Sequence, residues 1–258
     1  MTVLPDAAPL WAEAAFWGLT AGSALVAGAF IAWFVPIPRR LIAAIMAFGA
    51  GVLIASVAFE LIDEAVTQGG LWPVVAGLVG GAVLFSLANI ALDRFGATHR
   101  KRSGEEQPAE HEDPGSGAAI ALGALLDGIP ESVVIGISLL AGGQVSAVTV
   151  AAIFISNIPE GLSSAAGMRR AGRSARYVFG VWGGIALLSG VAALTGFSLF
   201  EAASDGFVAS TNAFAAGAIL AMIVDTMIPE SCETTPKGAG LFATFGFIAG
   251  LALSRGMG

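Results

Sequence analysis

Three acidic residues stand in apolar surroundings, where acids are costly. Asp127-Gly-Ile-Pro-Glu131-Ser and Ser156-Asn-Ile-Pro-Glu160-Gly each place an acid near the middle of an apolar stretch long enough to cross a bilayer. An ionised carboxylate at that depth costs about 2.5–3.5 kcal/mol even on the most lenient scale, so such acids usually face a partner, a cation or water. Residues four apart share a helix face, which pairs Asp127 with Glu131 and Ser156 with Glu160, with Asn157 close beside them. Pro130 cannot donate to the carbonyl of Leu126, nor Pro159 to that of Ile155, so each helix is expected to kink and free one backbone oxygen. If the two faces pack together, three carboxylates and several neutral oxygens converge. Like charges in low dielectric repel, and a divalent cation is the natural neutraliser. Asp127, Glu131, Ser156, Asn157 and Glu160 are therefore the candidate metal ligands, at the membrane midplane, and metal binding is expected to release protons.

Weaker candidates surround this set. Glu60, near one end of its apolar segment, and Asp225, in a later one, are candidates for an entrance and an exit path. Asp63, Glu64, Glu201 and Asp205 read as a solvated rim that can concentrate cations, and Glu230 and Glu233 read as rim acids too. His111 lies among acids in a stretch that reads as a plain linker.

The elements that must position these residues follow from composition. Of 258 residues, 56% are hydrophobic and 12% charged, against about 25% charged in soluble domains, which marks an integral membrane protein. The long apolar runs differ from the short alternating strands of a transmembrane barrel. A single cysteine, Cys232, excludes an intrachain disulfide and a cysteine metal cluster. A net charge of −7 argues against nucleic acid as a partner. With Asp6 and Glu13 near its start, the chain is expected to carry no cleaved leader.

Eight apolar segments, each about the 20 residues a spanning helix needs, can be marked: Leu10–Phe34, Leu41–Val66, Leu71–Leu92, Gly117–Ala141, Val145–Met168, Tyr177–Phe200, Phe207–Pro229 and Gly238–Leu253. Pro36-Ile-Pro38, Gly69-Gly70 and Gly142-Gly143 punctuate the connections. Residues 95–116 form the long polar stretch, basic first (His99, Arg100, Lys101, Arg102) and acidic after, expected to be a flexible loop. Arg39, Arg40, Arg94, the Arg100–Arg102 run, Arg169, Arg170, Arg173, Arg176 and Lys237 all fall on one side of an eight-span arrangement. The positive-inside rule then puts that loop in the cytoplasm and both termini outside, as a multi-pass protein of a cell inner membrane.

Ala47-Phe-Gly-Ala-Gly51-Val-Leu-Ile-Ala55 aligns without gaps on Ala213-Phe-Ala-Ala-Gly217-Ala-Ile-Leu-Ala221, and the same register sets Glu64 opposite Glu230. The two segments run in opposite directions across the membrane, as do the two Ile-Pro-Glu copies. The expected fold is thus all-α, one transmembrane domain over residues 1–258, with helices 1–3 and 6–8 as an inverted repeat around a central 4–5 pair. Such repeats are a transporter plan with sites near the midplane.

These motifs resemble those of the ZIP (Zrt-/Irt-like) family of metal transporters, over all eight spans. That family shows His-Asn-x-Pro-Glu-Gly in helix four and a similar His-x-x-Pro-Glu-Gly in helix five, forming a metal centre that is often binuclear. Pro130 with Glu131, Asn157, and Pro159 with Glu160-Gly161 match; Asp127, Gly128, Ser132 and Ser156 depart, so the chain looks like a variant bacterial-type member without the motif histidines. The resemblance implies uptake of zinc, manganese or iron toward the cytoplasm, as substrate and not as cofactor, with no enzymatic activity. Oxygen ligands alone are more permissive to manganese, iron or magnesium, and zinc accepts carboxylates too. Because Gly128 has no ligating side chain, one metal position is expected. Divalent metal and membrane lipid are the expected partners, and a homodimer is a candidate assembly. The alternatives are a non-transporting membrane metal sensor or regulator and, with no base to activate Ser132 or Ser156, an intramembrane hydrolase.

Overall fold

In the computed structural model the described residues are 9–105, 107, 116–141, 145–233 and 237–256. Asp6, Gly142-Gly143, and His111 with its acidic neighbours lie outside them. Eight helices among the described residues are long and apolar enough to cross a membrane: α1 Leu10–Phe34, α2 Arg39–Gly69, α3 Leu71–Asp93, α4 Ser116–Ser138, α5 Ala147–Arg170, α6 Ala175–Phe200, α7 Asp205–Glu233 and α8 Ala239–Gly256. This defines a multi-pass, all-helical membrane architecture. In lipid every backbone polar group must be satisfied within the segment, which only helices and closed barrels achieve.

The helix limits follow local chemistry. Pro38 precedes α2 in extended conformation, and Gly70 ends it at φ 77°, a left-handed turn that a side chain would strain. The Ser146 and Ser174 hydroxyls accept from the backbone N–H groups of Thr149 and Tyr177, capping α5 and α6. Pro130 and Pro159 both lie inside continuous helices.

Small residues set the packing. α1 runs along α5 and α6, α2 along α5 and α8, α3 along α7, and α4 along α6 and α7. A Cβ on Gly51 would stand 1.9 Å from the carbonyl oxygen of Ala243, and one on Gly217 2.0 Å from that of Leu78, so α2–α8 and α7–α3 meet backbone to backbone. α2 and α7 each contain a π turn, Val57–Ile62 and Ile223–Met227. The two turns begin at positions that the alignment of Ala47 on Ala213 places opposite each other. π turns are uncommon and concentrate at functional places in helices; Glu60 sits in one and Asp225 in the other.

α4 and α5 do not form a packed hairpin: they make few direct contacts with each other, and each leans on its other neighbours. The space at the level of their acids is taken by chain from outside the bundle.

Candidate cation site

Asp127, Glu131 and Glu160 are each buried to within a few per cent of full occlusion, as are Ser156 and Asn157. Helix spacing accounts for Asp127 and Glu131 on one face of α4, and Glu160 enters from α5. Close approach of α1 fixes α5: a Cβ on Gly161 would lie 2.1 Å from the Leu25 carbonyl oxygen. On the same side the Asn157 Nδ2 donates to the Ala21 carbonyl at 3.0 Å. The Ser156 hydroxyl donates to the Ile153 carbonyl at 2.9 Å, leaving its oxygen as an acceptor.

The connection between α3 and α4 supplies the counter-charges. Arg100 grips Asp127 with a two-point fork, Nε to Oδ2 at 2.9 Å and Nη2 to Oδ1 at 2.8 Å, the geometry guanidinium groups favour with carboxylates. Lys101 Nζ lies 2.7 Å from Glu160 Oε2 and 3.3 Å from Asp127 Oδ2, bridging α4 and α5. Arg100 is 1% exposed and Lys101 4%, so both cations are withdrawn from water. Burial pushes the Lys101 ammonium down, but the charges of Asp127 and Glu160 outweigh it and hold the group above the usual lysine range. The Arg100 guanidinium is likewise lowered by burial and raised, on balance, by Asp127. Three carboxylates thus face two cations. Glu131 Oε1 and Glu160 Oε1 are buried with no hydrogen-bond partner among the described residues. Glu131 is within electrostatic range of Glu160 and of Asp127.

A second layer holds this segment in place. Glu230 Oε1 accepts from the Ser103 backbone N–H at 3.1 Å, from the Ser103 hydroxyl, and from the Ser163 hydroxyl at 2.9 Å. Ser163 Oγ also lies 2.7 Å from the Lys101 carbonyl, to which it can donate instead. Gln107 Nε2 donates to the carbonyls of Arg100, Arg102 and Ser164 at 3.0–3.2 Å. Glu233 accepts from Arg39 at 2.9 Å and from Arg102 at 2.6 Å.

The sequence-derived set therefore divides. Asp127 and Glu160 are joined through Lys101 Nζ, and Glu131 lies within electrostatic range of both. Among the described residues, however, no three acidic, histidine or cysteine side chains are grouped closely enough to hold one metal ion. Ser156 and Asn157 share α5 with Glu160. Glu60 is elsewhere, accepting from Ser254 at 2.5 Å and Ser146 at 3.5 Å, and Asp225 is exposed on its π turn. Glu230, read as a solvated rim acid, is instead 2% exposed and engaged with the chain connecting α3 to α4. Sequence reasoning missed Arg100, Lys101, Ser103, Gln107 and Ser163. Three buried acids with a basic run available was a signal for the first two, but the same residues explain the topology equally well. Proton uptake is thus not the only route to neutralising the acids, since two of the charges are met by side chains.

No protein-family model matches the chain, and no curated protein matches it.

Proposed function

We propose that the chain carries divalent metal cations across a cell membrane toward the cytoplasm, through the carboxylates of α4 and α5. The observation that carries this reading is the burial of Asp127, Glu131 and Glu160 deep in a bundle of membrane-length helices, with positive charge bound on Asp127 and Glu160. A place built to hold an ammonium and a guanidinium against carboxylates is, by charge, a place for a metal ion. Glu131 and Glu160 each offer a free oxygen, with Ser156 and Asn157 as neutral neighbours, and the substrate is zinc, manganese or iron. The resemblance of the Pro-Glu motifs to ZIP transporters supports the same reading.

The inverted-repeat plan belongs to this proposal. It is supported by the matched placement of the two π turns and by the parallel pairings of α2 with α8 and of α7 with α3. With the basic ends of the helices in the cytoplasm, the Arg100–Gln107 segment lies on the exit side.

One observation favours a second reading, a metal sensor or regulator that binds without turnover: both oxygens of Asp127 are held by Arg100. Equilibrium binding set beside flux separates the two. Purified protein in liposomes is expected to carry manganese or zinc down its gradient; binding with no flux supports the sensor and contradicts the carrier.

A further inference from the structure

Residues 97–105 and 107 form a polar, charged stretch that enters the helices and ends on their buried acids. We propose that this segment is a cationic plug, in which Arg100 and Lys101 compete with the transported metal for the carboxylates of α4 and α5. Metal then binds only as the segment withdraws. The inference rests on the carrier reading and adds to it a built-in competitor.

Three sets of contacts carry it. The first is mutual exclusion. Lys101 Nζ lies 2.7 Å from Glu160 and 3.3 Å from Asp127, while a metal ion needs the same oxygens at about 2.0–2.2 Å. A divalent ion and an ammonium cannot share them at that range in a low-dielectric interior. The second is a receptor for the segment. Ser163, Ser164 and Glu230 receive its backbone and side chains. Gly123 and Gly167 leave the room it fills: a Cβ on Gly123 would stand 2.5 Å from Arg100 Cδ, and one on Gly167 2.1 Å from the Arg102 carbonyl oxygen. The third is the kind of contact. Apart from the small Ala97 and Gly104, the segment's buried residues are polar or charged. Each neutral hydrogen bond exchanged for one to water costs only about 0.5–1.5 kcal/mol net, with the bonds of Ser103 to the Glu230 carboxylate the stronger ones. At the acids of α4 and α5 the plug is held by Arg100 on Asp127 and by Lys101 on Asp127 and Glu160, which a metal ion replaces, while Arg102 keeps its separate pair with Glu233.

A competitor docked most of the time lowers the apparent affinity for metal by the fraction of molecules left open, and removing it restores that factor. The test uses the full chain in two measurements. Hydrogen–deuterium exchange of the backbone amides of residues 97–105 is followed with and without saturating manganese; the plug predicts slow exchange without metal and exchange roughly tenfold faster with it. Unchanged exchange overturns the plug. Manganese flux into liposomes is compared at sub-saturating metal for the unaltered chain, for Lys101→Gln, and for Gly167→Ala. The last crowds the segment without touching a carboxylate, and size-exclusion chromatography confirms that each variant is folded. The plug predicts flux roughly three- to tenfold higher in both variants. Flux in the unaltered chain with neither folded variant exceeding it overturns the plug and leaves the carrier standing. No flux in any form, with manganese still accelerating exchange, overturns the carrier and keeps the plug as a metal-displaced contact.

Discussion

Arg100 and Asp127 form an ion pair almost wholly withdrawn from water, and such a pair is asymmetric in its energetics. Removing one partner strands the other, whereas replacing both with apolar groups of similar volume is often neutral. Arg100→Met alone leaves Asp127 only the Lys101 ammonium at 3.3 Å and is therefore expected to destabilise the protein by up to about 3 kcal/mol, the low end of the range for a stranded buried charge. Arg100→Met combined with Asp127→Leu should recover most of that loss, and thermal unfolding in detergent measures both. Equal destabilisation by the single and double variants would show that the pair is not what holds the two residues. Chemistry at this scale was half legible. Asp127, Glu131 and Glu160 stand out because acids are expensive in an apolar helix. Arg100 and Lys101 do not stand out, because in a polar connection a basic residue needs no special reason.

Among the elements, α1 and α5 meet where side chains are absent. The Leu25 backbone occupies the place a Cβ on Gly161 would need, and Asn157 is bonded to α1 four residues from Gly161 along the helix. Gly161→Val is expected to lower stability by about 1–3 kcal/mol through overpacking and to reduce metal binding, because Glu160 rides on the same turn. Calorimetry beside equilibrium binding checks both; full stability with full binding would detach the site from this contact. The helices themselves were legible: the apolar run Leu10–Phe34 coincides with α1, and the other limits differ by a few residues, as with Leu41–Val66 against Arg39–Gly69. The π turns were not. Apart from Glu60 and Asp225, nothing in Val57–Ile62 or Ile223–Met227 departs from an ordinary apolar helix pattern, and an acid alone does not mark a π turn. Nor was the separation of α4 from α5, which depends on what else fills the space between them.

Over the whole molecule, the direction in which the bundle sits decides whether the Arg100–Gln107 segment guards an exit or an entrance. Glu233 bridges Arg39 and Arg102, so its neighbour Cys232, which is exposed, marks the basic end. It is also the single cysteine of the chain. A membrane-impermeant thiol reagent is expected to label it only after cells are permeabilised; labelling of intact cells would reverse the orientation. The charge asymmetry between connections was legible, while the burial of part of that charge was not, because counting basic residues does not say which of them leave water. The central claim is that buried carboxylates on α4 and α5 pass a divalent cation. Manganese or zinc flux into liposomes holding the purified chain, beside Glu131→Ala and Glu160→Ala, tests it most directly. The account predicts flux in the unaltered protein and its loss in each variant; undiminished flux in both would contradict it.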